Sequence, residues 1–364
     1  MRLLRHDYRD FRLAFALAFD LRRVMYAGYA LCWTLAVPLL VIGIMSWRAH
    51  RRPFSPEGLY RVHESLTSLA LTPANALALL SIATAWWIGF GWLCAPVLRS
   101  AALDIARDER ERPLSIPHLN RQAAFAPLMG MAGLALGLLI ALGWALLAAI
   151  PAGVGTALGL VLVPIVLVVG AGAAAIGIVA LSSAPMMGPT AVVEGRDYFE
   201  ALSRPMSYVM QQPGRYLGYL LTKLLTVAIS ALLGGAVLAI SWGLVALALW
   251  ITGQGEVVTA ALEQAGGGPP APALLPVMLA GIGWGTVGLL VAWLMVVSLN
   301  CDLLTYLLMR YRVDGVTFDQ IAIAEDKLKR YPTAAETAAQ AEEARRRHDE
   351  QQARTEPEPA KASQ

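Results

Sequence analysis

The residues from 125 to 150 read FAPLMGMAGLALGLLIALGWALLAAI and include no charged side chain. About 20 apolar residues are enough for a helix to cross the hydrocarbon core of a bilayer. Because that core holds no water, a single segment inside it satisfies its backbone hydrogen bonds only as an α-helix. Several further segments of this kind follow, so the sequence predicts a membrane protein that crosses the bilayer more than once.

Composition agrees with this prediction, since 57% of the 364 residues are hydrophobic and only 15% are charged. A soluble domain carries about 25% charged residues. We therefore predict an all-α fold, a polytopic membrane helical bundle with about six transmembrane helices and amphipathic cytoplasmic helices. The predicted spans are 24–47, 75–98, 125–150, 157–181, 216–250 and 273–311.

Two further segments flank this membrane domain, 24–312. Residues 1–23 are predicted to form a basic amphipathic helix, because Phe11, Phe15 and Phe19 recur at helical spacing among arginines. Such a helix either lies on an anionic membrane surface or packs on the protein's own bundle. Residues 313–364 are predicted to form a cytoplasmic helix followed by a charged, partly disordered tail, since the tail lacks large apolar residues.

The most polar internal stretch, 182–214, is predicted to be a loop that contains one short helix. Asp197 and Glu200 are spaced as a helix N-cap and its third residue. One apolar side follows them at helical spacing, formed by Phe199, Leu202, Met206 and Val209. We expect this side to hold the segment against the membrane and the bundle, with Phe199 packed.

Apart from Arg310, next to the end of the last one, Lys223 and Asp302 are the charged residues that fall inside the predicted spans. A charge within a membrane segment is a functional candidate. Both residues lie toward the predicted cytoplasmic ends, however, where a lysine side chain reaches the interface. Asp302 is expected to bond Arg310 or Arg312, or to cap a helix break, so a structural role is favoured for both residues.

Two stretches of the sequence match at an offset of 89 residues. Ala95-Pro96 recurs as Ala184-Pro185, and Arg107-Asp108 recurs as Arg196-Asp197. This match indicates either an internal repeat of two hairpins, as in some transporters, or the chance identities of an alanine-rich chain. In both interpretations Arg107, Asp108, Arg196 and Asp197 are expected to be ion-paired loop anchors.

The distribution of positive charge predicts the orientation. With six spans, one side carries the N-terminal arginines, those of 99–121 and 196–215, and the tail. The other side carries only Arg48, Arg51, Arg52 and Arg61. Lys and Arg concentrate in cytoplasmic loops, so both termini are predicted to be cytoplasmic.

No catalytic motif is present, and we predict no catalytic, cofactor or metal site. The five histidines lie outside the spans, and Cys32, Cys94 and Cys301 lack metal-ligand spacing, which favours buried structural cysteines. A net charge of +3 gives no reason to expect nucleic acid as a partner. The expected partners are the lipid bilayer and another membrane protein.

Three phrases carry a resemblance to a family: VLRSAALDIARDERERP (97–113), VVEGRDYFEALSRPMSYVMQQPGRYLGY (192–219) and LTYLLMRYRVDGV (304–316). The chain resembles an uncharacterised family of multi-pass bacterial inner-membrane proteins. A weaker likeness is to six-span membrane domains attached to glycerophosphodiester phosphodiesterases, whose hydrolase domain is absent here. The resemblance implies a multi-pass topology in the bacterial inner membrane and supplies no catalytic residues.

The sequence thus favours a non-enzymatic structural or accessory component of the inner membrane. The alternative is a small transporter or permease subunit, which the repeat and the glycine-rich spans favour. A polar cavity within the membrane domain would favour transport, whereas a solid apolar bundle would favour the accessory role.

The predicted topology is tested with single cysteines in a background that lacks the three native ones. We expect Arg110→Cys and Gln212→Cys to resist a membrane-impermeant thiol reagent in intact cells, because both sites are predicted to be cytoplasmic. Gln264→Cys is expected to react. Labelling at either of the first two sites would overturn the six-span topology.

Overall fold

Helix is the regular secondary structure throughout the described residues of the computed structural model, which are 7–50, 73–107, 117–148, 154–195, 197–266 and 274–318. The chain divides into two units, Met1–Ile321 and Ala322–Gln364, and every described residue belongs to the first. Asp108, Arg196 and the predicted tail after residue 318 lie outside the described residues.

A 3-10 turn over Tyr8–Phe11 precedes the α-helices. In chain order these are α1 Arg12–Leu17, α2 Leu21–His50, α3 Pro73–Arg107, α4 Pro117–Ala148, α5 Val154–Glu194, α6 Tyr198–Gln211, α7 Pro213–Ile251, α8 Gly255–Ala265 and α9 Leu274–Asp314.

Five of these helices, α2, α3, α5, α7 and α9, contain described segments long and apolar enough to cross a membrane. The predicted all-α membrane bundle is confirmed. The backbone of α4 covers 125–148 of the remaining predicted span, and the count of six spans stays a prediction. α7 is a single helix of 39 residues that runs through Gly234 and Gly235, as predicted for 216–250.

The prediction of one continuous helix over residues 1–23 is wrong for the described part of that segment. α1 ends at Leu17, and α2 begins at Leu21. The carboxylate of Asp20 accepts a hydrogen bond from the backbone N–H of Arg22, at 3.0 Å. A side-chain acceptor before the first turn is the usual way to start a helix, which explains why a new helix begins here.

Residues 7–20 pack on the bundle. Of the two alternatives for the N-terminal segment, a membrane surface or the protein's own bundle, the second therefore applies to these residues. Phe11 and Leu17 are each 2% exposed. The side-chain amide of Asn300, on α9, donates to the carbonyl of Ala14 at 3.1 Å. Phe19 is 68% exposed, so only this end of the phenylalanine stripe faces outward.

The predicted boundary between span and loop at 181–182 is also wrong. α5 continues to Glu194 and contains Pro185 and Pro189. Proline normally disfavours a helix interior because its nitrogen has no N–H to donate. Here Met186 and Val193 are fully buried, so tertiary packing outweighs the local preference.

Successive long helices run in opposite directions, so the end of one lies beside the beginning of the next. The ends of α3, α5 and α9 meet the beginnings of α2, α4 and α7 at the end of the bundle where α6 lies, here called the α6 end. Both ends of the first unit's described chain are there, since the ring of Tyr8 lies 5.0 Å from that of Tyr219 and Phe318 contacts Tyr311. α8 follows the far end of α7.

Buried side chains concentrate toward the α6 end. Leu303, Leu304 and Leu307 of α9 are fully buried, whereas Leu160 of α5 and Leu232 of α7 are each 74% exposed. Exposing such side chains to water costs about 25 cal/mol per Å², but lipid removes this cost. The exposed leucines therefore mark the surface that the bilayer covers. Of the cysteines, Cys94 and Cys301 are buried as predicted and Cys32 is exposed.

We expect Gly91→Ala to lower the free energy of unfolding by about 1–3 kcal/mol, because overpacking forces backbone shifts. A Cβ atom at Gly91 would lie 2.8 Å from the Cα of Ala124, and a backbone atom has no rotamer with which to move away. Chemical unfolding in detergent measures the change.

Gly235→Ala is the matched control, since its Cβ would meet no atom within 4 Å. Alanine favours a helix over glycine by about 0.5–1 kcal/mol, so this variant should be as stable as the parent or more so. Equal losses in both variants would contradict the close approach of α3 and α4.

Candidate functional site

The carboxylate of Glu194 lies at the centre of a polar cluster at the α6 end. Its Oε1 accepts a hydrogen bond from the hydroxyl of Tyr306 at 2.7 Å. The same atom lies 3.1 Å from Nη1 of Arg204 and 2.8 Å from Nε of Arg310. Glu194 is the last residue of α5, where the helix dipole disfavours a negative charge. The two guanidinium groups offset that penalty and join α5 to α6 and α9.

Asp314 and Tyr208 extend this arrangement, and we call Glu194, Arg204, Tyr208, Tyr306, Arg310 and Asp314 together the Glu194 cluster. The hydroxyl of Tyr208 donates a hydrogen bond to Asp314, and Nη1 of Arg204 lies 4.0 Å from the same carboxylate. Burial raises the pKa of the Tyr208 phenol well above its ordinary value, and the bond to Asp314 raises it further. The phenol is therefore protonated at neutral pH, and its contribution to stability is lost only as the pH rises past about 10.

A second buried ion pair joins the start of α2 to the end of α3. Nη2 of Arg23 lies 2.9 Å from Oδ2 of Asp104. Its Nε donates to the Ser100 hydroxyl at 3.0 Å, and its Nη1 donates to the Leu17 carbonyl at 2.8 Å. Arg23 is only 2% exposed, so its donors bind protein groups in place of water. This contact also fixes the turn between α1 and α2.

A third ion pair lies deeper in the bundle, between α7 and α9. The Nζ of Lys223 is 2.6 Å from Oδ1 of Asp302. Both side chains line a cavity of about 380 Å³ between α3, α4, α5, α7 and α9. We call it the Lys223–Asp302 cavity. Its volume lies within the range of small-molecule pockets, about 300–1,000 Å³.

The sequence-based expectations for Asp302 and Lys223 need correction. Asp302 does not cap a helix break, because α9 is continuous through it. Asp302 pairs with Lys223, and Arg310 contacts Glu194 instead. The Lys223 side chain therefore points inward to a buried carboxylate, whereas the sequence analysis expected it to reach the membrane interface.

The predicted site residues of 182–214 have mixed outcomes. Asp197 caps α6, since its carboxylate accepts from the backbone N–H of Glu200 at 2.7 Å. Phe199, predicted to hold the segment against the membrane and the bundle, is 68% exposed and so does not pack on the bundle. The buried side of α6 consists of Ala201, Pro205, Tyr208 and Val209. The buried side is thus rotated about the helix axis relative to the predicted one, and Tyr208 supplies the large buried ring.

Of the four predicted loop anchors, Arg107 and Asp197 belong to the described residues. Arg107 is the last residue of α3, and Asp108 and Arg196 lie outside those residues. Pro96 and Pro185 both lie within helices. Superposition of the two hairpins in the 89-residue register remains the test of the repeat.

Sequence reasoning missed Arg23, Asp104, Glu194 and Arg310, which form the most buried ion pairs. The sequence analysis considered Arg310 only as a partner of Asp302 and gave the other three no partner. One available signal was position: Asp104 interrupts the apolar face of Leu98, Ala101 and Ile105. A charge on the buried side of an amphipathic helix needs an internal partner.

Comparison with known proteins adds no relative. No protein-family model, curated protein or solved structure matches this chain.

Glu194→Gln should lower the free energy of unfolding by about 3–5 kcal/mol, the usual cost of leaving a buried charge without its partner. The neutral amide would leave Arg310, which is 6% exposed, without its nearest carboxylate. Thermal or chemical unfolding in detergent measures the loss.

Glu263→Gln on α8 is the control, because Glu263 is exposed. A surface change of this kind stays within about 0.5 kcal/mol. If both variants were equally stable, Arg204 and Arg310 would have to be balanced by other groups.

Proposed function

We propose that this chain is a non-enzymatic structural or accessory component of the bacterial inner membrane, with both termini in the cytoplasm, that holds another membrane protein. The observation that carries the proposal is the Glu194 cluster. It fixes α6 to the ends of α5 and α9 through buried ion pairs, so α6 is held as a rigid element at the end of the bundle.

The outer side of α6 supports a docking role. Phe199 and Met210 are each 68% exposed, although α6 already buries another side against the bundle. Beside them, the guanidinium of Arg204 is 27% exposed and bonds Glu200. Apolar side chains on a rigid helix, next to charges that are already paired, are suited to contact with a protein partner.

The test is purification from native membranes in a mild detergent, with the protein carrying Phe199→Ser and Met210→Ser together. We expect the parent protein to retain a partner in fixed stoichiometry. The double variant should lose that partner while its thermal unfolding midpoint stays unchanged, because both side chains are exposed.

Leu262→Ser on α8 is the matched control, since Leu262 is also 68% exposed but lies beyond the far end of α7. This variant should keep the partner. A parent protein that purifies without a stoichiometric partner, or equal loss from both variants, would count against the proposal.

A small transporter or permease subunit is the second candidate, and the Lys223–Asp302 cavity favours it. A charged pair beside a cavity among membrane helices is a feature of substrate and ion sites. The two candidates involve different regions, namely the surface of α6 for the accessory role and the cavity for transport.

A further inference from the structure

The Lys223–Asp302 cavity places one cation and one anion against an apolar wall. Trp87 and Phe90 of α3 and Met295 of α9 lie on that wall. Among the described residues that line the cavity, only Ser298 carries a hydroxyl group. The side chains of Lys223 and Asp302 are 17% and 11% exposed. Two opposite charges and a hydroxyl are therefore presented to a space that is otherwise apolar.

A purely structural role explains this pair poorly. Removing two charges from water costs several kcal/mol per ion, and their attraction seldom exceeds that cost. Both side chains of this pair, moreover, border a cavity. The pair is therefore better explained by something that it binds.

The pair also has unused bonding capacity. An ammonium group has three donors and a carboxylate has about four acceptor positions. The contact between Nζ of Lys223 and Oδ1 of Asp302 uses one of each. Neither group forms a further side-chain hydrogen bond within the described part of the chain, so the remaining positions are open to a molecule inside the cavity.

Charge balance restricts which molecule fits. The pair is neutral as a unit, so an anion or a cation that entered alone would leave one net charge buried, which is costly. A zwitterion adds no net charge. Its anionic group pairs with Lys223, its ammonium group pairs with Asp302, and one ion pair becomes two. An apolar substituent on the same molecule would contact Trp87 and Phe90.

We propose that the Lys223–Asp302 cavity binds a compact zwitterion that carries a primary ammonium group, an anionic group and an apolar substituent. The α6 surface has no part in this site, so the inference stands apart from the accessory role. Two sources supply this chemistry: a free amino acid in solution and the headgroup of an ethanolamine phospholipid in the bilayer.

The test uses the full chain in nanodiscs of dioleoylphosphatidylcholine, whose trimethylated ammonium has no N–H to donate to Asp302. Millimolar leucine should raise the thermal unfolding midpoint by about 2–4 °C, because a ligand that binds only the folded state stabilises it. Leucinamide lacks the anion and N-acetylleucine lacks the ammonium, so neither should produce the shift.

Replacing phosphatidylcholine with dioleoylphosphatidylethanolamine distinguishes the two sources. If the site takes the headgroup, the ethanolamine lipid alone raises the midpoint and leucine adds nothing to it. If the site takes a free amino acid, leucine raises the midpoint in both lipids.

Lys223→Met combined with Asp302→Leu is the binding-defective variant, and this charge-free pair should keep the fold. It should lose the response to leucine and to the ethanolamine lipid. The proposal is overturned if neither zwitterion shifts the parent protein, or if the double variant keeps the shift. It is also overturned if leucinamide or N-acetylleucine acts as strongly as leucine, a comparison that needs no variant.

Discussion

The carboxylate of Glu194, shared between two arginines, is the contact on which the arrangement of helices most depends. In a bilayer the hydrophobic effect does not drive helices together, because lipid chains are as apolar as leucine. Close packing and polar contacts must then determine which helices meet. Glu194 belongs to α5, Arg204 to α6 and Arg310 to α9, so a single carboxylate sets three positions at once.

The same logic explains why buried polar side chains gather toward the α6 end. Arg23 with Asp104 joins α2 to α3, and Nη1 of Arg99 donates to the carbonyl of Val192 at 2.9 Å, which joins α3 to α5. Toward the other end the described helices expose long apolar surfaces, where lipid serves as solvent. Polar contacts thus fix the positions of the helices at the α6 end, whereas lipid covers their apolar side chains elsewhere.

Much of this architecture follows from the sequence because a membrane leaves few alternatives. Charge-free runs such as 125–150 must be helical, and Asp197 has the spacing of a cap. The failures have a common cause, which is that charged residues near the ends of apolar runs have partners far away in the sequence. Glu194, Arg23 and Asp302 each bind a partner at least 77 positions away in sequence, and no local pattern identifies such a partner. Phe199 does not pack on the bundle as predicted. Helical spacing shows which residues share a face, but not which face the neighbouring helices cover.

The contact between Asn300 and Ala14 has a consequence for how the protein is made. The two residues are 286 positions apart, so residues 7–20 are synthesised long before the helix on which they pack. Contacts between distant parts of a chain close late and slowly. Until α9 enters the membrane, Phe11 and Leu17 lack their final packing partners, and residues 7–20 need a temporary location such as the membrane surface. Assembly of the described bundle is therefore completed only after the synthesis of α9, when residues 7–20 dock on that helix.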